Sequence, residues 1–342
     1  MEKATRKKTP VWLRLSFWLM ALVLALLTAA VVLRFWITSD AGRAFVASQI
    51  DGRRLGVLGT VRLSGLQGDP LGAATVADIA LVDDDGVWLR ARDVRLEWTP
   101  TALFAGELEI RSIGVRLVDV LRAPTVANPE AGGPGPDIGI RLDELKVETL
   151  RLAEPVLGIE AEYALSGAVA SPRGGAGFAR LGLSPQSGPA DTANISIDWE
   201  KNGTIEGLAN VAGPADGLIA SLLQGPDDRS VGFVGKLNGT TEDFTGEGTL
   251  SFGGEAAATL SVARKDDQAT LAGELRAIAW PLMAPVFERT GGAVAVNGRA
   301  NVADLARAAT TLDVSAPAGE ATLAAQVDLT TFSLVSPVTV DA

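Results

Sequence analysis

The chain has 342 residues, with 30 Lys and Arg against 41 Asp and Glu, no histidine and no cysteine. Without His or Cys there are no disulfides, little scope for zinc chemistry, and no Ser-His or Cys-His nucleophile pair, so the composition points away from an enzyme. Residues 1–14 hold five basic residues and one acidic one, leaving a net charge of −15 on the rest, which argues against a nucleic-acid face and against electrostatic adhesion to anionic lipid heads.

The first element is LSFWLMALVLALLTAAVVL, Leu15–Leu33, which is 19 residues without a charge and long enough for a membrane-spanning helix. Lys3, Arg6, Lys7, Lys8 and Arg14 precede it, so the positive-inside bias keeps that end in the cytoplasm and sends everything after Arg34 across. Residues 1–14 are read as a basic cytoplasmic tail and 15–37 as the anchor, carried by Leu15, Trp18, Leu22, Leu26, Val32 and Trp36. Trp12, Trp18, Phe35 and Trp36 fall where interfacial aromatics belong. The alternative is a cleaved signal peptide, which calls for an apolar core of roughly 7–15 residues followed by a small-x-small site. Here the core is longer, and the best such site, Thr28-Ala29-Ala30, lies inside it.

Next comes Thr38-Ser39-Asp40 and AGRAFVASQI, where Ser39 or Asp40 can cap a juxtamembrane helix within residues 38–54. From Leu55 the apolar residues recur with period two, the mark of a half-buried strand. In GVWLRARDVRLEW, Val87, Leu89 and Ala91 share odd parity, whereas Val94, Leu96 and Trp98 are even. One face per parity then demands a one-residue bulge near Arg92–Asp93, or a break. Leu108 and Ile110 against Ile113 and Val115, and Leu142 against Leu145, repeat the shift. Asp85-Gly86, Asn202-Gly203, Asn238-Gly239 and Gly253-Gly254 are favoured in tight hairpins, so pairing is mostly antiparallel.

Short helices are expected at Pro100 to Phe104 before Gly106, at GLIASLLQ after Asp216, and at Pro281–Arg289 before Gly291. Residues 127–137, ANPEAGGPGPD, read as a linker, and 171–193, SPRGGAGFARLGLSPQSGPADTA, as a long loop. No repeat of fixed length is visible. The final SLVSPVTVDA reads as a strand without a protected edge, as if more chain follows. Asp83-Asp84-Asp85-Gly86 lacks the distal acidic ligand of a calcium loop and reads as an acidic turn. Gly133-Pro134-Gly135 has no following Lys-Ser/Thr, and no nucleophile elbow or Ser-x-x-Lys pair occurs. Nothing in the chain calls for a cofactor.

The order of an N-terminal anchor, TSDAGRAFVASQI, GTVRLSGLQGDPL and DDDGVWLRARDVRLEWTPTALFAGELEIRSIGVRLVDVLRAP resembles the N-terminal region of TamB-like translocation and assembly module proteins, in the AsmA-like group. The likeness covers about residues 10–124 and thins to general β-pattern from 138 onward. It implies an inner-membrane anchor and, over 55–342, an elongated, twisted, mostly antiparallel periplasmic β-sheet curved into an apolar groove. It also implies a role in autotransporter and outer-membrane protein assembly and in phospholipid transport between the membranes. An Omp85-type (TamA-like) barrel would be the partner, through a C-terminal part not recognisable here. Some twenty strands at about 4.8 Å spacing would extend on the order of 100 Å. Groove-lining roles fall on Val87, Leu89, Val94, Leu96, Trp98, Leu108 and Ile110, with phospholipid acyl chains as cargo. The competing reading is a structural envelope tether with a dry β-core.

Overall fold

The computed structural model describes residues 34–54, 58–125, 138–157, 160–173, 175–240, 242–276, 280–303, 308–328, 333–334 and 339–341. The apolar stretch Leu15–Leu33 lies outside these. Among the described residues no helix is long and apolar enough to cross a membrane. The helix Asp40–Ile50 is capped as its sequence demands: Gly42 N–H donates to the Ser39 hydroxyl at 3.2 Å. Its Gly42 packs against the Trp36 carbonyl, where a Cβ would collide.

The chain is mainly β. The strands are β1 (Thr60–Gly68), β2 (Ala73–Asp83), β3 (Gly86–Thr99), β4 (Glu107–Val120), β5 (Gly139–Leu152), β6 (Ala161–Ser171), β7 (Gly177–Ser187) and β8 (Thr192–Trp199). They continue as β9 (Thr204–Gly213), β10 (Val231–Thr240), β11 (Asp243–Phe252), β12 (Glu255–Lys265), β13 (Gln268–Leu275), β14 (Val294–Asn301), β15 (Ala308–Ala316) and β16 (Gly319–Asp328). Two short strands, β17 (Ser333–Leu334) and β18 (Thr339–Asp341), both pair with β16. Each of β1 to β16 pairs with its sequence neighbours, in one sheet that does not close on itself. Sixteen strands at about 4.8 Å spacing cover roughly 70 Å along the ladder, less than the length expected from twenty.

Every pairing in the sheet is antiparallel except β4 with β5, where Glu107 lies opposite Gly139 and Val120 opposite Leu152. A parallel pair needs a crossover of a dozen or more residues, and the Pro- and Gly-rich run 127–137 falls in that connection. The run 127–137, expected as a linker, lies outside the described residues. Residues 171–193 are corrected: Gly177–Ser187 is the full strand β7, because Leu181 and Leu183 alternate with polar residues despite the flanking Gly and Pro. Asn238-Gly239 is corrected as well, since both pair within β10 and β11, and the chain turns just after Thr240. Gly86, Gly203, Gly253 and Gly254 do sit at turns with positive φ.

The phase shift at Arg92–Asp93 is present and is shared by five strands. Leu63 and Leu66, Val76 and Ile79, Ala91 and Val94, Val115 and Val118, and Val147 and Leu150 are each three apart, yet all join one apolar cluster. The pairs align laterally, Leu66 to Val76 to Val94 to Val115 to Val147, so the pleat inverts along one line across the sheet. Asp93 reaches the inversion with φ 52°, steadied by the Arg116 guanidinium at 2.6 Å, and Gly65 with φ 69°. At Gly65 a Cβ would fall 2.6 Å from that of Ala77, so glycine answers both the backbone and the close approach.

One end of the strands carries the larger plugs. The connections after β5, β9 and β13 hold the helices Glu154–Leu157, Leu218–Leu222 and Ala284–Thr290, the last preceded by a 3-10 turn Pro281–Met283. Each is followed by a strand whose first residue, Ala161, Val231 or Val294, is buried. Phe252 and Trp280 meet edge to face at 5.3 Å beneath Ala220 and Met283. The unequal spacing of these units hides the repetition from the sequence.

The helix Leu218–Leu222 is capped by a distant residue, Asp191, and Asp216 plays no such part. The fully buried Asp191 accepts from Leu218 N–H at 2.9 Å, Ile219 N–H at 3.0 Å and the Tyr163 hydroxyl at 2.7 Å. Burial and the hydrogen bond to Asp191 raise the Tyr163 phenol above its ordinary range, so it stays a donor. Asp191→Ala would strand one buried and two partly buried donors and is expected to cost about 3 kcal/mol in urea unfolding, against about 1 kcal/mol for Tyr163→Phe.

The acidic turn is also paired. Both oxygens of Asp83 face the Arg122 guanidinium, and Thr125 and Asp85 N–H groups donate at 2.8 and 3.0 Å. Among the described residues no three metal-ligating side chains gather. Arg122 holds the Asp83 carboxyl well below the usual range against a smaller opposing effect of burial, with the two N–H groups adding to the depression. A depressed folded pKa stabilises above the unfolded value near 3.9 and loses that contribution as pH falls through the folded value. Asp83→Asn is therefore expected to lower the melting temperature at pH 7, with the gap to the parent narrowing below about pH 4.

Candidate functional site: an apolar face along the sheet

Residues opposite one another in a ladder project to the same face, so one row can be followed from strand to strand. From Ala74 it steps through Leu96, Ile113, Leu145 and Gly167 to Leu181. It continues through Ile195, Ala209, Gly235 and Gly248 to Leu260. Gly273, Val296, Val314 and Ala321 complete it. No polar side chain interrupts the row over fifteen strands, β2 to β16. The parallel row through Ile110, Leu142, Val169, Ala179 and Ile197 goes on to Gly207, Leu237, Gly246 and Val262.

The opposite face is polar by the same construction. Arg180, Ser196, Leu208, Lys236, Glu247 and Ser261 are successive partners, with Leu208 the one large apolar member. The amphipathic division is thus continuous from β7 to β12. A second layer would cover an apolar face in a sandwich. Here Ile195 and Ile197 are 38% exposed, Leu181 is 42% and Leu260 is 46%. A cavity of about 270 Å³ opens on this face, lined by Ile195, Ile197, Ala209, Phe233, Leu237, Leu260 and Val262 among others.

Glycines shape the floor of that cavity. A Cβ at Gly235 or Gly248 would meet the Phe233 ring at 3.1 or 3.2 Å, and one at Gly246 would meet Leu237 at 3.2 Å. Bulky side chains lie over the glycines of neighbouring strands, giving shallow troughs between ridges.

Of the residues expected to line a groove, Leu96 and Ile110 fall on these two rows, Trp98 lies opposite Ile110, and Val94 is buried in the cluster at the inversion. The Trp98 indole donates to Pro70 O at 2.9 Å, which fixes the ring at the row's end. Leu108 shares parity with Ile110 and lies opposite Ile140. Leu89 belongs beyond the inversion, opposite Leu81 and Val120. Val87 closes the β2–β3 hairpin opposite Val82, where the ladder slips at Trp88. Trp88 is buried, with its indole donating to Leu58 O at 3.0 Å. Trp36 is half-exposed and tilts against Phe45 at 5.6 Å, while Leu15, Trp18, Leu22, Leu26 and Val32 lie outside the described residues.

The residues missed are those of β7 to β12, above all Leu181, Ile195, Phe233, Leu237, Leu260 and Val262. Their signal is present in the sequence as period two. It is diluted because glycine takes alternate positions where an apolar residue would be counted.

An environment-sensitive apolar dye is expected to bind the folded chain and to lose most of its signal in Leu260→Asp and Ile195→Asp, but not in Leu208→Asp. All three substitutions sit on exposed positions and should change stability by no more than about 1 kcal/mol, so thermal melts separate loss of the face from loss of the fold. Comparison of the chain with family models, with curated proteins and with solved structures finds no match.

Proposed function

We propose that this chain is a TamB-like envelope lipid conduit: an inner-membrane-anchored protein whose sheet crosses the periplasm and carries phospholipid acyl chains on its apolar face. In this reading it belongs to a translocation and assembly module that assists autotransporter and outer-membrane protein insertion, with an Omp85-type barrel as its partner. The observation that carries the proposal is the unbroken apolar row from Ala74 to Ala321, half-open to solvent and backed by a polar face. Water against such a face is unfavourable, and each methylene seated there gains about 0.8 kcal/mol. A row without polar interruption lets an acyl chain move along it without desolvating a charge. Movement would be passive in this chain, driven by lipid supply and demand at its ends.

A photoreactive amino acid placed at Ile195 or Leu260 in bacteria expressing the full chain is expected to give phospholipid adducts detectable by mass spectrometry. The same residue at Ser196 or Ser261, on the polar face, should give none. Val262→Asp beside Leu260 should abolish the Leu260 adduct, since an unpaired charge on an apolar path is costly. Equal adducts on both faces, or none on either, would overturn the conduit and leave a tether.

A further inference from the structure

The most exposed large apolar side chain in the described residues is Phe104, at 95%. It sits with the exposed Leu103 in the 3-10 turn Pro100–Ala105, between β3 and β4, and neither side chain is buried against the sheet. The turn is firmly built: Gly106 ends it with φ 75° and donates its N–H to Leu103 O at 3.0 Å. Leu103 and Phe104 thus form an exposed apolar pair on a defined turn.

The four-residue turn Asp69–Gly72 holds two separate segments. Asp69 pairs with both guanidinium nitrogens of Arg34, and Pro70 O and Gly72 O accept from the side-chain and backbone N–H groups of Trp98, two residues before Pro100. Arg34 is the first residue after the uncharged stretch Leu15–Leu33, and Phe35, Trp36 and Phe45 beside it are also exposed. The Leu103–Phe104 turn and the point where the chain leaves the apolar stretch are therefore fastened to the same corner of the sheet.

We infer that Pro100–Ala105 is a second membrane foot, in which Leu103 and Phe104 enter the lipid surface beside the anchor. Resting on the anchored reading above, this gives the sheet two contacts with the bilayer where a single span would allow swivelling. The β1 edge of the apolar face is then held at a set angle to the lipid from which cargo would enter. Aromatic and aliphatic side chains at this depth are stabilised by apolar burial without needing basic partners, which suits a chain this acidic.

The chain has no cysteine, so Phe104→Cys provides a unique site for a spin label. The labelled full-length protein would be reconstituted in vesicles of phosphatidylethanolamine and phosphatidylglycerol, with Leu208→Cys on the polar face as the control. Collision with oxygen and with a water-soluble nickel chelate is expected to place the label at 104 about 5–10 Å below the lipid phosphates, and the label at 208 in water. Adding Leu103→Glu should shift the label at 104 toward water while the protein stays with the vesicles. A label at 104 that remains aqueous in vesicle-bound protein overturns the foot and leaves the anchor standing. Spin–spin broadening at 104 would assign the turn to a second copy and overturn it as well. Protein that does not associate with vesicles at all overturns the anchored reading, and the foot with it.

Discussion

A β-ladder transmits side-chain phase: once one strand directs its apolar residues to one face, the paired residue of the next strand must follow, or the pairing must slip by a residue. In this chain one apolar row follows that constraint from β2 to β16, across the register slips of individual pairs. Leu96, Ile113, Leu145, Leu181, Ile195, Leu260 and Val314 share a face because each is linked to the next by register. Apolar and polar residues are therefore sorted across the full width of a single layer. Among the described residues no second sheet is stacked on the apolar side, so the hydrophobic effect that ordinarily drives layers together remains partly unsatisfied along the face.

Two departures keep the phase coherent. At the line from Gly65 to Glu148 the pleat inverts in five neighbouring strands together, so apolar residues three apart return to one face. An inversion in one strand alone would have turned half of its residues to the wrong side; shared laterally, it becomes a change in the direction of the sheet. The parallel pairing of β4 and β5 is the other departure. It reverses the sense of the meander without disturbing register, since Ile113 still meets Leu145 and Val115 still meets Val147.

Beyond the valine cluster at the inversion, the most deeply buried side chains gather at one end of the strands. Tyr163, Asp191, Phe252 and Trp280, with the short helices after β5, β9 and β13, form plugs at one end of the strands. The rows between those plugs and the hairpin turns are left half-open. This division leaves Leu260 exposed on the face while Phe252 is buried within the fold. It also agrees with a proposed cargo that must enter, slide and leave.

Period two in β3, the shift at Asp93, the Ser39 cap and the helical stops at Gly106 and Gly291 were legible in the chain because each depends on local sterics and on a few adjacent residues. The apolar face was legible in β3 and β4, at Leu89, Val94, Leu96, Trp98, Leu108 and Ile110. Farther on, Gly207, Gly235, Gly246 and Gly248 occupy face positions and erase the alternation that marks a strand. The strand at Gly177–Ser187, the capping of Leu218 by Asp191 and the Arg122 clamp on Asp83 depend on partners tens of residues away. By itself the sequence determined that this is a half-buried, mostly antiparallel β-chain without His or Cys chemistry. Only the tertiary structure decided that its apolar faces join into one open row, because lateral register depends on which strands become neighbours.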